Sequence, residues 1–150
     1  MIGQVFLSYS RKDEEPMRLI AKYLRVQGIK VWVDNEKLIP GTRVWENEIE
    51  KAIIKATAVV VILSPDARDS IWVRREISFA ELHNKRTVPV LARRKPDDSM
   101  PLSLATTQYV DIRVDEEKGL NLLKAALLGS KIEPPPQRPP SRFLAQLKAK

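Results

Sequence analysis

The sequence predicts a three-layer α/β domain, with one parallel sheet between two layers of helices. Short β-branched and aromatic runs alternate with amphipathic helical segments along most of the 150 residues. Residues 58–63, AVVVIL, form a continuous apolar run, which is typical of a central strand covered on both faces. Right-handed crossovers arrange such a series into a parallel sheet, and 43% hydrophobic residues suffice for one core.

The first half of the chain predicts two strands and two helices. Residues 4–9, QVFLSY, form the first strand, and apolar residues at helical spacing predict a helix over about 13–28. Residues 30–34, KVWVD, form the second strand. Residues 35–42 contain a Pro-Gly turn signal and predict a loop, and residues 45–56 carry the next apolar helical stripe.

The second half predicts three strands at residues 58–63, 87–92 and 109–112, and two helices that begin near Ile71 and Glu116. Ser70 can cap the first of these helices. Pro89 has no amide hydrogen, so we expect the fourth strand to lie at an edge or to carry a bulge. The fold class is therefore α/β, flavodoxin-like, with a five-stranded parallel sheet of order 2-1-3-4-5 and helices on both faces.

The composition changes after Gly129. Five of the eleven prolines fall within residues 134–140, and such a run favours extended polyproline. Residues 131–150 hold five basic residues and one acidic residue, which is +4 of the net +7, so the first 130 residues carry only +3. We expect a domain at residues 1–130 and a solvated, proline-rich basic tail or linker at 131–150. An electrostatic role towards phosphate or acidic partners is the alternative, and nucleic acid is not the expected partner.

Several classes of chemistry are excluded by residue types that the sequence lacks. With no cysteine and a single histidine, His83, it can build neither a disulfide nor a thiolate or histidine-cluster metal site. The spacing of its five glycines matches neither a Walker A loop nor the motif G-x-G-x-x-G. Neither a membrane-spanning run nor a signal peptide is recognisable, so we expect a cytoplasmic protein that does not engage the membrane.

Polar side chains follow the predicted strands at the edge where open α/β sheets bind ligands. They are Ser8, Tyr9, Ser10 and Arg11 after the first strand, Asp34 after the second, and Trp72 and Glu76 on the helix after the third. Trp72 and Glu76 are four residues apart, so both lie on one helix face. Taken alone, this W-x-x-x-E pair also fits a packed Trp and a Glu bridged to Arg75, Lys85 or solvent.

Four blocks in this order resemble a Toll/interleukin-1 receptor (TIR) domain over residues 3–129. They are VFLSYSRKDEE, VWVDNEKLIPGTRVWENEIEKAI, AVVVILSPDARDSIWVRREISFA and KRTVPVL. The first box of the family corresponds to Val5–Arg11, its BB loop to about residues 35–44, and its W-x-x-x-E motif to Trp72 and Glu76. The resemblance is to prokaryotic-type TIR domains that hydrolyse NAD.

The resemblance implies an NAD glycohydrolase with Glu76 as the catalytic residue, NAD as the substrate, no cofactor, and ADP-ribose or a cyclic isomer as product. Nicotinamide leaves NAD as a neutral group, so one carboxylate that stabilises an oxocarbenium-like transition state is sufficient. By the same resemblance, NAD is held by Phe6, Ser8, Tyr9, Ser10, Arg11, Asp34 and Trp72. Core packing is the alternative for Phe6, and a loop cap is the alternative for Asp34.

Two other functions compete with this one. A TIR adaptor would only recruit other TIR domains through the loop at 35–44, whereas the presence of Trp72 and Glu76 favours the enzyme. A phosphoacceptor receiver is disfavoured because the third strand ends in Ser64-Pro65, where such a domain has an aspartate. The resemblance further implies self-association on activation, a prokaryotic immune signalling role, and an effector or sensor domain beyond the tail.

Overall fold

The computed structural model describes residues 3–33 and 42–129. Its five strands form one parallel sheet of order β2-β1-β3-β4-β5, which confirms the predicted fold class. The strands are β1 Val5–Ser8, β2 Val31–Trp32, β3 Ala58–Leu63, β4 Arg86–Leu91 and β5 Val110–Asp111. Asp34, most of the predicted BB loop and the tail at 131–150 lie outside the described residues.

The described part of the chain contains six α-helices. They are α1 Glu14–Val26, α2 Arg43–Lys55, α3 Pro65–Asp69, α4 Ile71–Leu82, α5 Pro96–Ser99 and α6 Glu116–Leu127. The four long helices are those that the sequence predicts, whereas α3 and α5 are not predicted. Both short helices begin with a proline in their first turn. Proline is well suited to that position because its fixed φ is helical and its missing amide hydrogen is not needed there.

The sheet separates two apolar clusters, and β1 supplies side chains to both of them. Val5 and Leu7 pack with α1 and α6, while Phe6 packs with α2 and α4 on the opposite face. This division follows from the period of two in a strand, in which successive side chains point to opposite faces. β3 is buried at all six positions, as expected for a strand covered on both sides.

β4 is not an edge strand, contrary to the expectation drawn from its proline. It lies between β3 and β5 in the sheet. However, β5 pairs only with Val90 and Leu91, so at Pro89 strand β4 has a partner only on the β3 side, where it is opposite Val61. A strand tolerates proline where one side of its ladder is unpaired.

Gly119 allows α6 to lie directly on the end of β5. A Cβ at this position would come 2.4 Å from the carbonyl oxygen of Asp111 and 2.8 Å from Cγ2 of Ile112. Glycine is therefore required here by the close approach of the two backbones. None of the helices in the described ranges combines the length and the apolar composition needed to cross a bilayer.

Candidate functional site

Glu76 lies on α4 and points inwards, towards the carboxyl end of β1. Its side chain is 9% exposed, and Ser8 Oγ donates a hydrogen bond to its Oε1 over 2.9 Å. Ser8 is itself fully buried and lies opposite Val61 in the register of β1 and β3. Carboxylates are rarely buried unless partners hold them. The structure therefore joins two of the predicted site residues across 68 positions of sequence.

The rotation of α4 is what turns Glu76 inwards. Ser70 caps the helix, since its Oγ accepts a hydrogen bond from the backbone N–H of Val73 over 3.2 Å. Val73, Ile77 and Ala80 form the buried face of the helix, and Glu76 shares that face. Burial of the apolar neighbours thus places a carboxylate against the end of the sheet.

An open cleft of about 270 Å³ lies between α2 and α4. Its lining consists of Trp45, Glu46, Ile49, Glu50 and Ile53 from α2, and Trp72, Arg75, Glu76 and Phe79 from α4. Trp72 and Glu76 therefore face one space, as their four-residue separation predicts. The predicted crevice between the segment after β1 and α4 differs from this cleft, because Ser8 is fully buried and the lining comes from α2 and α4.

Trp72 forms one wall of this cleft. Its ring packs against Trp45 with centroids 4.4 Å apart and planes at 89°, an edge-to-face arrangement that aromatic pairs favour. The guanidinium carbon of Arg75 lies 4.7 Å from the centroid of the Trp72 ring, a cation–π contact. Three carboxylates and one guanidinium line the cleft, so its field favours a positively charged ligand.

The other residues predicted to hold NAD occupy different surroundings. Phe6 is fully buried and stacks on Trp32, with centroids 5.0 Å apart and planes at 11°. Tyr9 is half-buried and packs with the α1 and α6 cluster on the opposite face of the sheet. Ser10 Oγ accepts a hydrogen bond from the backbone N–H of Lys12, which caps a single 3₁₀ turn at residues 11–13.

Arg11 is exposed at the start of that turn, and Asp34 lies outside the described residues. The structure therefore bonds Ser8 to Glu76 and places Glu76 in one cleft with Trp72. The side chain of Tyr9 lies on the other side of the sheet.

The sequence reasoning missed the part of the cleft wall that α2 supplies. The sequence placed residues 45–56 on an apolar helical stripe and did not single out Trp45, Glu46 or Glu50 as candidates. Positions 45, 46, 49 and 50 recur at helical spacing, so they form one stripe along α2. The sequence shows that stripe, but it does not show that the stripe faces α4. Which helices lie side by side depends on the order of the strands in the sheet.

A second polar cluster joins the carboxyl ends of β1, β3 and β4. Asp13 is fully buried and accepts hydrogen bonds from Ser64 Oγ and, over 2.7 Å, from Arg93 Nε. Arg93 also donates to Asp66, which is bridged in turn to Lys12. The Arg93 guanidinium therefore joins the buried carboxylate of Asp13 and the partly exposed carboxylate of Asp66 in one ion-pair network.

The bonds within this network shift the acidity of its members. The hydrogen bond from Arg93 holds the pKa of Asp66 below its ordinary value. Hydrogen bonds to Asp13 and Asp66 raise the pKa of the Arg93 guanidinium, so it stays charged. In the described ranges, no three His, Asp or Glu side chains are grouped so that they could hold a metal ion.

Fold and site together define a flavodoxin-like α/β domain with a carboxylate-bearing cleft beside its fourth helix. The family model described as "TIR domain" matches residues 5–124. This chain belongs to the TIR domain family. No curated protein matches the sequence.

Solved structures with the same fold come from functionally different proteins. The TIR domain of the Toll-related receptor TRR-2 from Hydra magnipapillata is 22% identical, with a TM-score of 0.65 over 83% of this chain and 94% of the other. The CMP N-glycosidase BcmB from Clostridium botulinum is 21% identical, with a TM-score of 0.60 over 82% and 98%. The RPS4 and RRS1 TIR domain heterodimer is 14% identical, with a TM-score of 0.62 over 84% and 95%. These likenesses show the shared fold, and TIR domains commonly associate with one another, as in that heterodimer.

Proposed function

We propose that this TIR domain cleaves the nicotinamide–ribose bond of NAD, with Glu76 as the catalytic carboxylate. The observation that carries the proposal is the placement of Glu76, which Ser8 holds at the wall of a cleft that it shares with Trp72. A buried carboxylate beside open, aromatic-walled space is a typical feature of a reaction centre.

The reaction needs little more than such a carboxylate. The bond between the ribose C1′ and the pyridinium nitrogen breaks, and its electron pair leaves with neutral nicotinamide. Positive charge then develops on the ribose, where the Glu76 carboxylate stabilises it. Water attacks C1′ and loses a proton to give ADP-ribose, or a nitrogen of the adenine attacks to give a cyclic isomer. No second acid is required because the leaving group departs without protonation.

The electrostatics of the cleft support binding of a cationic ring, and the nicotinamide of NAD is such a ring. Glu46 and Glu50 add two carboxylates to that of Glu76, against the single guanidinium of Arg75. Arg75 already shows that the ring of Trp72 accepts a cation at 4.7 Å. The similar fold of a CMP N-glycosidase further supports the cleavage of a bond between a sugar and a base nitrogen on this scaffold.

Activation by self-association completes the proposal. TIR domains commonly pair with one another, and the BB loop predicted at residues 35–44 would mediate this contact. Thr42 caps α2 at the described end of that segment, so the loop leads directly into the helix that forms the cleft wall. We place this activity in cytoplasmic signalling, as in prokaryotic immunity.

A TIR adaptor that binds other TIR domains without catalysis is the second candidate. One observation favours it: two apolar residues at helix starts are largely exposed, Val44 in α2 at 60% and Ile71 in α4 at 55%. Exposed apolar side chains near a predicted contact loop fit a protein interface. Such an interface is compatible with the enzyme as well, so turnover decides between the two.

The test is an NAD turnover assay with chromatography of the products, on purified protein at high concentration or with a crowding agent. We expect nicotinamide and ADP-ribose or its cyclic isomer from the wild type. Glu76→Ala should lower kcat by at least about 100-fold, the cost of removing one electrostatic stabiliser of a transition state. Glu81→Ala is the matched control, because Glu81 is exposed near the end of the same helix.

Equal turnover by the wild type and Glu76→Ala would remove this carboxylate from the mechanism. Absence of turnover in every assembled state, with TIR–TIR binding retained, would establish the adaptor instead. Unchanged melting temperatures for both variants would show that the fold is intact.

A further inference from the structure

Ser8 has a more specific place in the site than contact with a ligand. It is the last residue of β1 and is fully buried, with β3 alongside it in register. Because β1 alternates between faces, Ser8 shares the side of Phe6, which packs towards α2 and α4. Its hydroxyl is therefore fixed by the sheet and aimed at the layer that carries Glu76.

The hydrogen bond from Ser8 to Glu76 sets the direction of the carboxylate. Ser8 Oγ donates to Oε1 over 2.9 Å, within the buried region. A hydrogen bond to a charged group is stronger than one between neutral groups and favours one orientation of its partner. The flexible glutamate side chain is thereby held in one orientation by a rigid strand.

We propose that Ser8 is a positioning residue, which acts on NAD cleavage only through Glu76; this rests on the proposed function. Ser8 has no exposed surface and is not among the described residues that line the cleft. It therefore does not meet the substrate directly. This role differs from the NAD contact that the family resemblance implies for position 8.

The expected effect of removing the hydroxyl is on kcat. Ser8→Ala leaves Glu76 in the cleft but removes the hydrogen bond that fixes its Oε1, and small misplacements of a catalytic group lower rates by up to about 100-fold. We expect kcat to fall roughly 10- to 100-fold while KM stays within about twofold, because the loss of an interaction that is made only in the transition state lowers kcat and kcat/KM together.

Two further variants separate positioning from general loss of stability. Ser8→Cys has nearly the same size and a weak donor, so its kcat should lie between those of the wild type and Ser8→Ala. Ser99→Ala is the matched control: Ser99 is also fully buried, and its Oγ donates to the carbonyl oxygen of Arg93 over 3.1 Å. Ser99→Ala should lose a comparable amount of thermal stability and keep its kcat.

The measurement is steady-state NAD turnover with kcat and KM for all four proteins, together with their melting temperatures. A raised KM with unchanged kcat for Ser8→Ala would show that Ser8 contacts the substrate and would overturn the positioning role. Equal losses of activity in Ser8→Ala and Ser99→Ala would show that Ser8 acts only through the stability of the fold, and would overturn the positioning role. An active wild type with fully active Ser8→Ala would refute this inference alone, whereas an inactive wild type would refute the proposed function and this role with it.

Discussion

Replacing Arg93 with methionine should destabilise the domain without altering the cleft, because it strips a buried carboxylate of its charged partner. Arg93 donates to Asp13 through Nε and to Asp66 through Nη2. Methionine replaces the apolar stem of arginine but carries neither the charge nor the hydrogen-bond donors of the guanidinium. The buried Asp13 then keeps Ser64 as a hydrogen-bond donor but has lost the positive charge that balances it.

The size of the effect follows from the burial of the two partners. Removing one member of a fully buried ion pair costs roughly 3 to 5 kcal/mol. Here Asp13 is fully buried but the Arg93 side chain keeps 37% of its exposure, so water screens part of the interaction. The free energy of unfolding should therefore fall by about 2 to 3 kcal/mol. Arg113→Met is the control, since the partner of Arg113, Asp111, is 29% exposed and can be solvated by water in the variant. The free energy of unfolding of Arg113→Met should fall by only about 1 kcal/mol.

Urea denaturation followed by circular dichroism measures both losses under the same conditions. The second variant to add is Asp13→Asn in the Arg93→Met background. It removes the uncompensated charge and should restore part of the lost stability, so the two substitutions should not be additive. Equal losses in Arg93→Met and Arg113→Met, or additive losses at positions 13 and 93, would refute the account of a buried charge held by Arg93.

Two remaining predictions concern acid stability and backbone packing. Arg93 and Arg113 lower the pKa of Asp66 and of Asp111, respectively, below the ordinary value of 3.8. Carboxyls with a depressed folded-state pKa stabilise the fold above the unfolded value and lose this contribution as pH falls through the folded one. The free energy of unfolding should therefore decrease as the pH falls below about 4. The difference in urea midpoint between the wild type and Arg93→Met should become smaller in that range. A difference that does not change with pH would contradict this prediction. Gly119→Ala should cost about 1 to 3 kcal/mol, because its Cβ meets the Asp111 backbone at 2.4 Å, and an unchanged melting temperature would refute that.

The strands and the four long helices were predictable because each depends on local patterns, and the order of the sheet followed from the fold class that their alternation indicates. The run at residues 58–63 is apolar at every position, and the helices show clear stripes, so burial on both faces or on one face could be inferred. The short helix α3 was not predicted because Ser64-Pro65 was interpreted only as the end of a strand. The same pair is a helix start, since Ser64 Oγ accepts from the backbone N–H of Ala67 over 3.0 Å.

The candidate site was predictable only in part. The spacing of Trp72 and Glu76 fixed their common face, and the predicted sheet order placed β1 beside β3, so a meeting of Ser8 with α4 could be expected. The sequence did not distinguish Ser8 from Tyr9, although the strand's period of two sends them to opposite faces. The contribution of Glu50 and the rest of α2 depends on long-range packing, which a local pattern does not contain.

The bond between Ser8 and Glu76 also determines when the candidate site can form during synthesis of the chain. The partners are 68 residues apart and are joined only when β1, β3 and α4 have all docked. Contacts of such long range form late, since loop closure must come before the gain in packing. A nascent polypeptide therefore cannot assemble this site until α4 has left the ribosome, and a truncated product that ends before α4 lacks the bond between Ser8 and Glu76.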